Sequence, residues 1–204
     1  MADSNIKWHA ASVSRELRSS LHRNQGAAVW LTGLSASGKS TLARALERRL
    51  VERGIFAYVL DGDNLRHGLN SDLGFSPEDR RENIRRVGEV TALFVDAGAI
   101  VISAFISPYR GDRDRARELM RPGEFLEVHV DAPVDVCEAR DPKGLYAKAR
   151  AGKLSDFTGI SAPYEAPLHP ELALRTDQLS VEQSVAALEA LLGERQLLVS
   201  VSDD

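Results

Sequence analysis

The segment from Gly33 to Ser40, GLSASGKS, constrains the fold of this chain more than any other feature. It matches the phosphate-binding pattern G-x-x-x-x-G-K-[ST] at every fixed position, between a short apolar strand at 28–31 and a helix. The glycines let the backbone N–H groups point at phosphate oxygens, and the helix adds its positive N-terminal end. Lys39 is predicted to reach the β- and γ-phosphates, and the Ser40 hydroxyl to bind Mg²⁺. The segment therefore predicts a nucleoside triphosphate site.

Apolar strands alternate with helices along the rest of the chain. After the strand at 28–31, strands are predicted at 55–60, 99–105 and 125–130, and a fifth begins at 172–174. This alternation favours a parallel sheet with helices on both faces, and such sheets bind ligands beyond the carboxyl ends of their strands. We therefore predict an α/β fold of the P-loop NTPase type. Its crevice should join the phosphate loop, the turn Asp61-Gly62-Asp63 and the loop after Phe105.

The chain is predicted to hold one folded domain between two polar ends. Residues 1–26 form an N-terminal extension with a short helix around 14–21, residues 27–195 form the domain, and residues 196–204 form a polar tail, predicted to be disordered from residue 200. Within the domain, residues 131–170 are long, polar and irregular in pattern. Because such segments often close over a site, we expect a mobile lid at about 140–166.

Composition excludes several classes of function. With 204 residues, 43% hydrophobic and 27% charged, the chain is typical of a soluble globular domain. The net charge of −4 gives no reason to expect a nucleic-acid partner. No apolar run approaches the ~20 residues of a membrane helix, and the N-terminus lacks a signal peptide, so we expect no membrane association and a cytoplasmic location. The single cysteine, Cys137, lies in an apolar run and is predicted to be a buried structural thiol.

Acidic residues separate the possible classes of nucleotide enzyme. No Asn-Lys-x-Asp segment is present, which disfavours a GTPase, and the third strand ends at 103–105 without the aspartate of a typical ATPase magnesium site. Asp131 ends the fourth strand but precedes a turn, so we interpret it as structural. Asp61 and Asp63 could orient an attacking hydroxyl or hold Mg²⁺. Taken alone, they are equally well explained as a turn.

Basic residues follow this acidic turn. Residues 61–86 hold five arginines, and Phe75 lies in a Gly-Phe-Ser-Pro turn. Guanidinium groups suit phosphate or sulfate oxygens, and an aromatic ring in a loop suits stacking on a base. Helical spacing puts Arg80 and Asn83 on the side of Ile84, whereas about half of the arginines should lie on a solvated face. The segment favours an anionic acceptor.

Five further segments make the chain recognisable. In order after GLSASGKST they read DGDNLRHGLN, GFSPEDRRENIRR, FISPYR, DPKGLYAKARAG and FTGI, and together they closely resemble the adenylylsulfate kinase family. The resemblance runs from about residue 27 to 192. It implies transfer of the γ-phosphoryl group of ATP, with Mg²⁺, to the ribose 3′-hydroxyl of adenosine 5′-phosphosulfate. The products are 3′-phosphoadenosine 5′-phosphosulfate and ADP, a step of sulfate activation. It also implies a homodimer.

Residue roles come with this resemblance. Asp63 is implied to engage the 3′-hydroxyl and, with Ser40, the metal, while Lys39 and Asp61 complete the catalytic set. The residues implied to bind ATP are Gly33, Leu34, Ser35, Ala36, Ser37, Gly38, Lys39, Ser40, Thr41 and Arg140. Those implied to bind the acceptor are Asp63, Arg66, Arg80 and Asn83 at the phosphosulfate and ribose, Phe75 and Phe157 at the adenine, Ile106 and Ser107 in the pocket loop, and Lys143 and Leu145 in the lid. Some relatives phosphorylate the serine that matches Ser107, but its loop position favours a pocket role.

Two alternatives stay open on the sequence alone. The first is another small-metabolite or nucleotide kinase on the same fold, which the pair Phe75 and Phe157 disfavours because a sugar kinase needs no second adenine clamp. The second is a nucleotide-dependent regulator without turnover. The presence of Lys39, Ser40 and Asp63 speaks against this second possibility.

Overall fold

A parallel β-sheet forms the centre of the computed structural model, which describes residues 6–7, 9–22 and 24–198. The strands are β1 (Ala27–Thr32), β2 (Ala57–Asp61), β3 (Ile100–Ala104), β4 (Phe125–Asp131) and β5 (Leu172–Arg175). The helices are α1 (Arg15–Ser19), α2 (Lys39–Glu52), α3 (Gly62–Leu65), α4 (Pro77–Asp96), α5 (Arg110–Glu118), α6 (Val134–Arg140), α7 (Leu145–Arg150) and α8 (Val181–Glu194). The strand order is β2-β3-β1-β4-β5, and every pair is parallel. This confirms the predicted α/β fold.

Apolar side chains cover both faces of the sheet. Helices α2 and α8 pack on one face through residues such as Leu46 and Leu188. Helices α4 and α5 pack on the other through Val87 and Ala116, against Trp30. All of β1 is buried because it lies between β3 and β4 and is covered from both sides. The phosphate loop therefore follows a strand that is paired on both edges and covered on both faces.

Helix ends follow the predicted signals in two places. Helix α8 begins with a capping box, in which Ser180 and Gln183 exchange side-chain and backbone hydrogen bonds. The short helix predicted around 14–21 is α1, whose first turn is capped by Ser14.

The prediction that 131–170 is irregular is wrong in part, because α6 and α7 lie within it. Helix α7 is stabilised by Asp141, whose carboxylate accepts hydrogen bonds from the backbone N–H groups of Leu145 and Ala147. Helices of six or seven residues show too few turns for a clear apolar period.

The two ends of the described chain meet at the edge of the domain. Asn24 forms an antiparallel bridge with Leu198, and the N–H of Gln25 donates to the carbonyl of Leu197 at 2.9 Å. Leu197 and Leu198, which the prediction assigns to the polar tail, therefore pack on the domain. The disorder predicted from residue 200 falls outside the described residues. Among the helices described, none is both long and apolar enough to cross a membrane.

Candidate active site

A single crevice of about 1170 Å³ opens at the carboxyl ends of the strands. The phosphate loop after β1 forms its floor, the Asp61–Asp63 turn after β2 and the loop after β3 form one wall, and segment 140–158 forms the roof. These are the segments that the sequence predicted to converge. Its volume exceeds the roughly 300–1,000 Å³ of a typical small-ligand site, so it has room for two ligands. Its lining includes Ser184 of α8 as well as Phe75, which precedes α4.

The phosphate loop has the curled backbone that its glycines permit. Gly33 has a φ of 155°, and a Cβ atom there would lie 2.3 Å from the carbonyl oxygen of Val130. Gly38 has a φ of 106° and directly precedes α2. Because only glycine adopts these conformations without strain, the two fixed glycines allow the loop to lie against β4 and then enter the helix.

Lys39 lies inside this loop. Its side chain is buried, and its ammonium group donates to the carbonyl oxygens of Gly33 and Leu34 at 2.9 and 2.6 Å. Burial lowers the pKa of Lys39 to about 8, because the charged form loses its hydration. The ammonium group is thus held at the place where an entering phosphate would replace the carbonyl oxygens as its partner.

Side chains from remote segments support the loop from outside. Thr176, which follows β5, donates to the carbonyl oxygen of Ser37 at 2.7 Å, and Arg140 donates to the carbonyl oxygen of Thr176 at 2.6 Å. Tyr146 of α7 donates to the carbonyl oxygen of Ser35 at 3.0 Å. The sequence analysis missed Thr176 and Tyr146. Thr176 could have been found, since it follows the last strand at the carboxyl edge of the sheet.

The two predicted carboxylates occupy different environments. Asp61 is buried, and one oxygen caps α3 by accepting from the N–H of Asp63 at 3.0 Å. Its other oxygen is buried with no hydrogen-bond partner among the described residues. The Asp63 side chain is 64% exposed and forms an ion pair with Lys143 of the roof. Both carboxylates line the crevice. Asp63 is paired with the roof, whereas Asp61, at the carboxyl end of β2, has one oxygen without a hydrogen-bond partner among the described residues.

An aromatic ring and two arginines form the far wall. The guanidinium carbon of Arg66 lies 4.3 Å from the ring centroid of Phe75, whose side chain is 61% exposed. Arg80 donates to the carbonyl oxygen of Phe75 at 2.9 Å, and partial burial lowers the pKa of both arginines. Asn83 lies beside them on the buried face of α4 and accepts from Asn70 at 3.1 Å. The wall combines a stacking surface with fixed positive charge.

The roof is tied to this wall and has a small core of its own. Arg80 donates to the hydroxyl of Thr158 at 3.0 Å and to the carbonyl oxygen of Asp156 at 2.6 Å. Phe157 packs edge-to-face on Tyr146, with centroids 4.9 Å apart. Cys137 is fully buried in the same cluster, as predicted for a structural thiol, and burial raises its pKa. The roof is therefore joined to the far wall of the crevice through Arg80.

The loop after β3 turns its serine hydroxyl inward. Ser107 has a φ of 39° and is buried, and its hydroxyl accepts from the indole N–H of Trp30 at 3.1 Å. Thr32 donates to the carbonyl oxygen of Ile106 at 2.7 Å. Ile106 and Ser107 both line the crevice. The Ser107 hydroxyl thus points toward the core.

Nearly all predicted site residues line the crevice. The exceptions are Gly33, Leu34 and Ser37, which are buried within the phosphate loop. Residues that were not predicted from the sequence also line it, and one group of them lies near α8: Thr176, Leu179, Val181 and Ser184. The individual roles stay predictions, but the predicted set does form one continuous site.

Comparison with known sequences identifies related proteins. The adenylylsulphate kinase family model matches residues 25–175. A probable adenylyl-sulfate kinase of Halalkalibacterium halodurans is 61% identical over 187 residues, which are 92% of this chain and 93% of that protein. The adenylyl-sulfate kinase of Marinobacter nauticus is 58% identical over 197 residues, 97% of this chain and 99% of that one.

Comparison with solved structures gives the same result. The Mycobacterium tuberculosis APS kinase in complex with AMPPNP and APS superposes with a TM-score of 0.80 and 50% sequence identity. The match covers 83% of this chain and 99% of the other. The similarity therefore extends over almost the whole of a structure that holds two ligands at once.

Proposed function

The chain belongs to the adenylylsulphate kinase family, and we propose that its crevice holds ATP at the α8 end and adenosine 5′-phosphosulfate at the Phe75 end. The activity is the ATP-dependent phosphorylation of the ribose 3′-hydroxyl of adenosine 5′-phosphosulfate. The observation that supports the two-ligand arrangement best is the crevice of about 1170 Å³, which residues of α8, the phosphate loop, the Asp61–Asp63 turn and Phe75 all line. The regulator and the other kinases considered above are disfavoured by the family membership.

ATP is proposed to lie with its phosphates over the phosphate loop. The loop amides and the N-terminus of α2 supply donors there, and Lys39 supplies a charge. The base then extends toward Thr176, Leu179 and Val181, which line the same end of the crevice. Arg140, which is hydrogen-bonded to Thr176, closes this end beside the loop.

The oxygen-bearing side chains of Ser40, Asp61 and Asp63, which line the crevice, fit a magnesium ion. Mg²⁺ prefers oxygen ligands, and the buried oxygen of Asp61 lacks a partner in the described part of the chain. Ser40 in the first turn of α2 and Asp63 line the same space. We propose Ser40, Asp63 and the Asp61 oxygen as groups that hold the ion, directly or through water. When bound, Mg²⁺ would offset negative charge on the β- and γ-phosphates.

The chemistry needs mainly positioning and charge from the protein. The 3′-oxygen bonds to the γ-phosphorus while the bond to the β,γ-bridging oxygen breaks, and ADP takes the electron pair. Asp63 orients the 3′-hydroxyl and accepts its proton, and Lys39 stabilises charge on the transferred group. Lys143, which pairs with Asp63 in this structure, must leave that carboxylate when the acceptor enters. Its charge is then available to the phosphosulfate.

The far wall explains how the acceptor would be recognised. Phe75 offers one exposed face for the adenine, and Phe157 lies in the roof that covers it. Arg66, Arg80 and Asn83 offer donors for the phosphosulfate and ribose. Arg80 ties the roof to this wall, and closure of the roof over bound acceptor would exclude water from the γ-phosphate, which favours transfer over hydrolysis.

A homodimer is proposed on the family resemblance alone. Light scattering after size exclusion should give twice the chain mass of 22.3 kDa. A mass near 22.3 kDa at working concentration would contradict the proposal.

The function is tested by an ADP-release assay with Mg²⁺ and ATP. Adenosine 5′-phosphosulfate is compared with AMP, adenosine and gluconate as acceptors, and the product is identified by mass. We expect strong preference for adenosine 5′-phosphosulfate and a new 3′-phosphate. Lys39→Met serves as the control for contaminating kinases. Preference for another acceptor would overturn the substrate, and ATP binding without turnover would favour the regulator.

A further inference from the structure

A buried arginine behind the acceptor wall links two parts of the site. Arg113 of α5 is 2% exposed. Its guanidinium group donates to the carbonyl oxygen of Ser107 at 2.6 Å and to the carbonyl oxygen of Glu165 at 2.8 Å. Ser107 belongs to the substrate loop, defined here as residues 105–109, and Glu165 to the lid base, residues 164–166. One buried side chain therefore connects the substrate loop to the lid base.

The substrate loop has a backbone conformation that needs such support. Ser107 has a φ of 39°, which is costly for any residue other than glycine and persists only where the surroundings hold it. Besides Arg113, the indole of Trp30 donates to its hydroxyl at 3.1 Å. Arg113 makes the shortest of these contacts, and it is charged. It is therefore the main group that holds this peptide in place.

The lid base is joined to the same loop by a second set of bonds. The N–H of Glu165 donates to the carbonyl oxygen of Pro108 at 2.8 Å, and Arg110 donates to the carbonyl oxygen of Ala166 at 2.7 Å. Because a planar guanidinium fixes the spacing of its acceptors, Arg113 sets the distance between Ser107 and Glu165. Movement of the loop would then be transmitted to the lid.

Glu127 of β4 orients this arginine. Its carboxylate accepts from Arg113 at 2.5 Å, and its own side chain is 11% exposed. Arg117, one turn further along α5, lies 3.6 Å from the other oxygen of Glu127. Its hydrogen bonds go to Glu171 and to the carbonyl oxygen of Phe125 rather than to the loop. Arg117 is therefore a matched control from the same charge cluster.

We propose that Arg113 is a positioning residue, which holds the substrate loop in its acceptor-binding conformation and couples that loop to the lid base. The inference rests on the proposed function, because Ile106 and Ser107 line the acceptor part of the crevice. Arg113 itself does not line the crevice, so its effect passes through the loop.

Steady-state kinetics separates this role from a purely structural one. Arg113→Met is made in a Glu127→Gln background, so that no carboxylate stays buried without a partner, and it is compared with Glu127→Gln alone and Arg117→Met. We expect the KM for adenosine 5′-phosphosulfate to rise about tenfold or more, since small displacements of binding groups are costly. The KM for ATP should stay unchanged. A purely structural loss would lower only the active fraction, and hence kcat.

Arg113→Lys tests whether the planar shape of the guanidinium group, with its several donors, is required. Lysine keeps the charge beside Glu127, so the fold should be preserved, but it cannot hold two carbonyl oxygens at a fixed spacing. We expect a rise in the same KM, smaller than in the methionine variant. Wild-type kinetics in Arg113→Lys would overturn the proposed coupling of the substrate loop to the lid base.

Tryptophan fluorescence gives a readout that does not depend on turnover. The chain has two tryptophans, so Trp8→Phe leaves Trp30, which contacts Ser107, as the only one. Trp30 is fully buried. Acrylamide quenching of its emission should increase several-fold in the Arg113 variants and stay constant in Arg117→Met.

Each outcome decides one of the two proposals. Unchanged quenching with an unchanged KM for adenosine 5′-phosphosulfate overturns the positioning role, and so does an equal rise in both KM values. Failure of the wild-type protein to phosphorylate adenosine 5′-phosphosulfate overturns the proposed function instead. In that case the quenching comparison still decides whether Arg113 holds the loop.

Discussion

The donor half and the acceptor half of the crevice are built in different ways. The phosphate-binding part of the donor half is one contiguous segment, residues 33–41, which follows a fully buried strand and holds Lys39 inside its own backbone. The acceptor half brings together residues 66–83, the loop after β3 and the roof, which are far apart in the chain. Its side chains are more exposed, with Phe75 at 61%.

This difference affects which functions change when a single side chain is substituted in each half. The phosphate loop is fixed mainly by its backbone conformation and by the packing of β1, with Thr176 and Tyr146 as added supports, so its geometry should survive the loss of a single side chain. The acceptor half is fixed by polar contacts between remote segments, such as that of Arg80 with Asp156. We therefore expect donor-side changes to alter ATP use and chemistry, and acceptor-side changes to alter only acceptor binding.

Loss of the lysine in the donor half should have the largest effect. Lys39→Met removes the charge that stabilises the transferred phosphoryl group, so kcat is expected to fall about a thousandfold. Because Lys39 is buried at the expense of its hydration, the variant should be folded and at least as thermally stable. Turnover is measured with saturating substrates. The exposed Arg44→Met on the same helix serves as the control, and a comparable loss there would contradict the assignment.

Loss of the carboxylate between the halves should rank second. Asp63→Asn keeps the shape but can neither accept the proton of the 3′-hydroxyl nor carry charge toward the metal, so kcat should fall about a hundredfold. The KM for adenosine 5′-phosphosulfate should change much less. Steady-state kinetics checks both values, with the exposed Asp135→Asn of α6 as control. Unchanged kcat in Asp63→Asn would remove Asp63 from the catalytic set.

The two halves also differ in how well the sequence predicted them. The fold and the donor half followed from local patterns: a buried strand, two glycines at positive φ, and a lysine in the first turn of a helix. The supports of that loop were missed, because Thr176 and Tyr146 come from segments more than 100 residues further on. Contacts between residues so far apart in the chain leave no local pattern in the sequence.

The acceptor half was predicted through resemblance rather than through spacing. Spacing placed Arg80 and Asn83 on the inner side of α4, and the structure confirms this placement. Spacing could not show that Asp61 is buried with one oxygen unpaired among the described residues while Asp63 pairs with Lys143. The two aspartates belong to the same turn and look alike in the sequence. Nor could spacing show Arg113, whose role depends on two carbonyl groups brought together only by folding.

Raising the pH should weaken nucleotide binding through the donor half. The pKa of Lys39 in the free protein is about 8, and bound phosphates should raise it. Above pH 8 the free protein must therefore take up a proton to bind, and the Kd for AMPPNP should rise about tenfold per pH unit until the pH reaches the pKa of the phosphate-bound lysine. Below that range Lys39 is charged in both states, and this contribution disappears.

Calorimetric titration across this range checks the pH prediction. Lys39→Met binds more weakly, but its Kd should not show the added pH dependence, so it corrects for ionisation of the nucleotide itself. Equal slopes for the two proteins would mean that Lys39 does not titrate in the free loop. Lys39 would then stay charged over this range in both the free and the bound protein.

Loss of the stacking ring should have the smallest effect and should be confined to the acceptor half. Phe75→Ala removes one face for the adenine, and base–aromatic stacking of this kind changes binding roughly tenfold. The KM for adenosine 5′-phosphosulfate should rise by that factor, while the KM for ATP and the thermal midpoint stay unchanged because the ring is exposed. The exposed Leu93→Ala on α4 is the control for loss of surface apolar area. A rise in the KM for ATP would show that the halves are coupled through this wall, because Arg66 rests on the Phe75 ring and Arg80 bonds to its backbone.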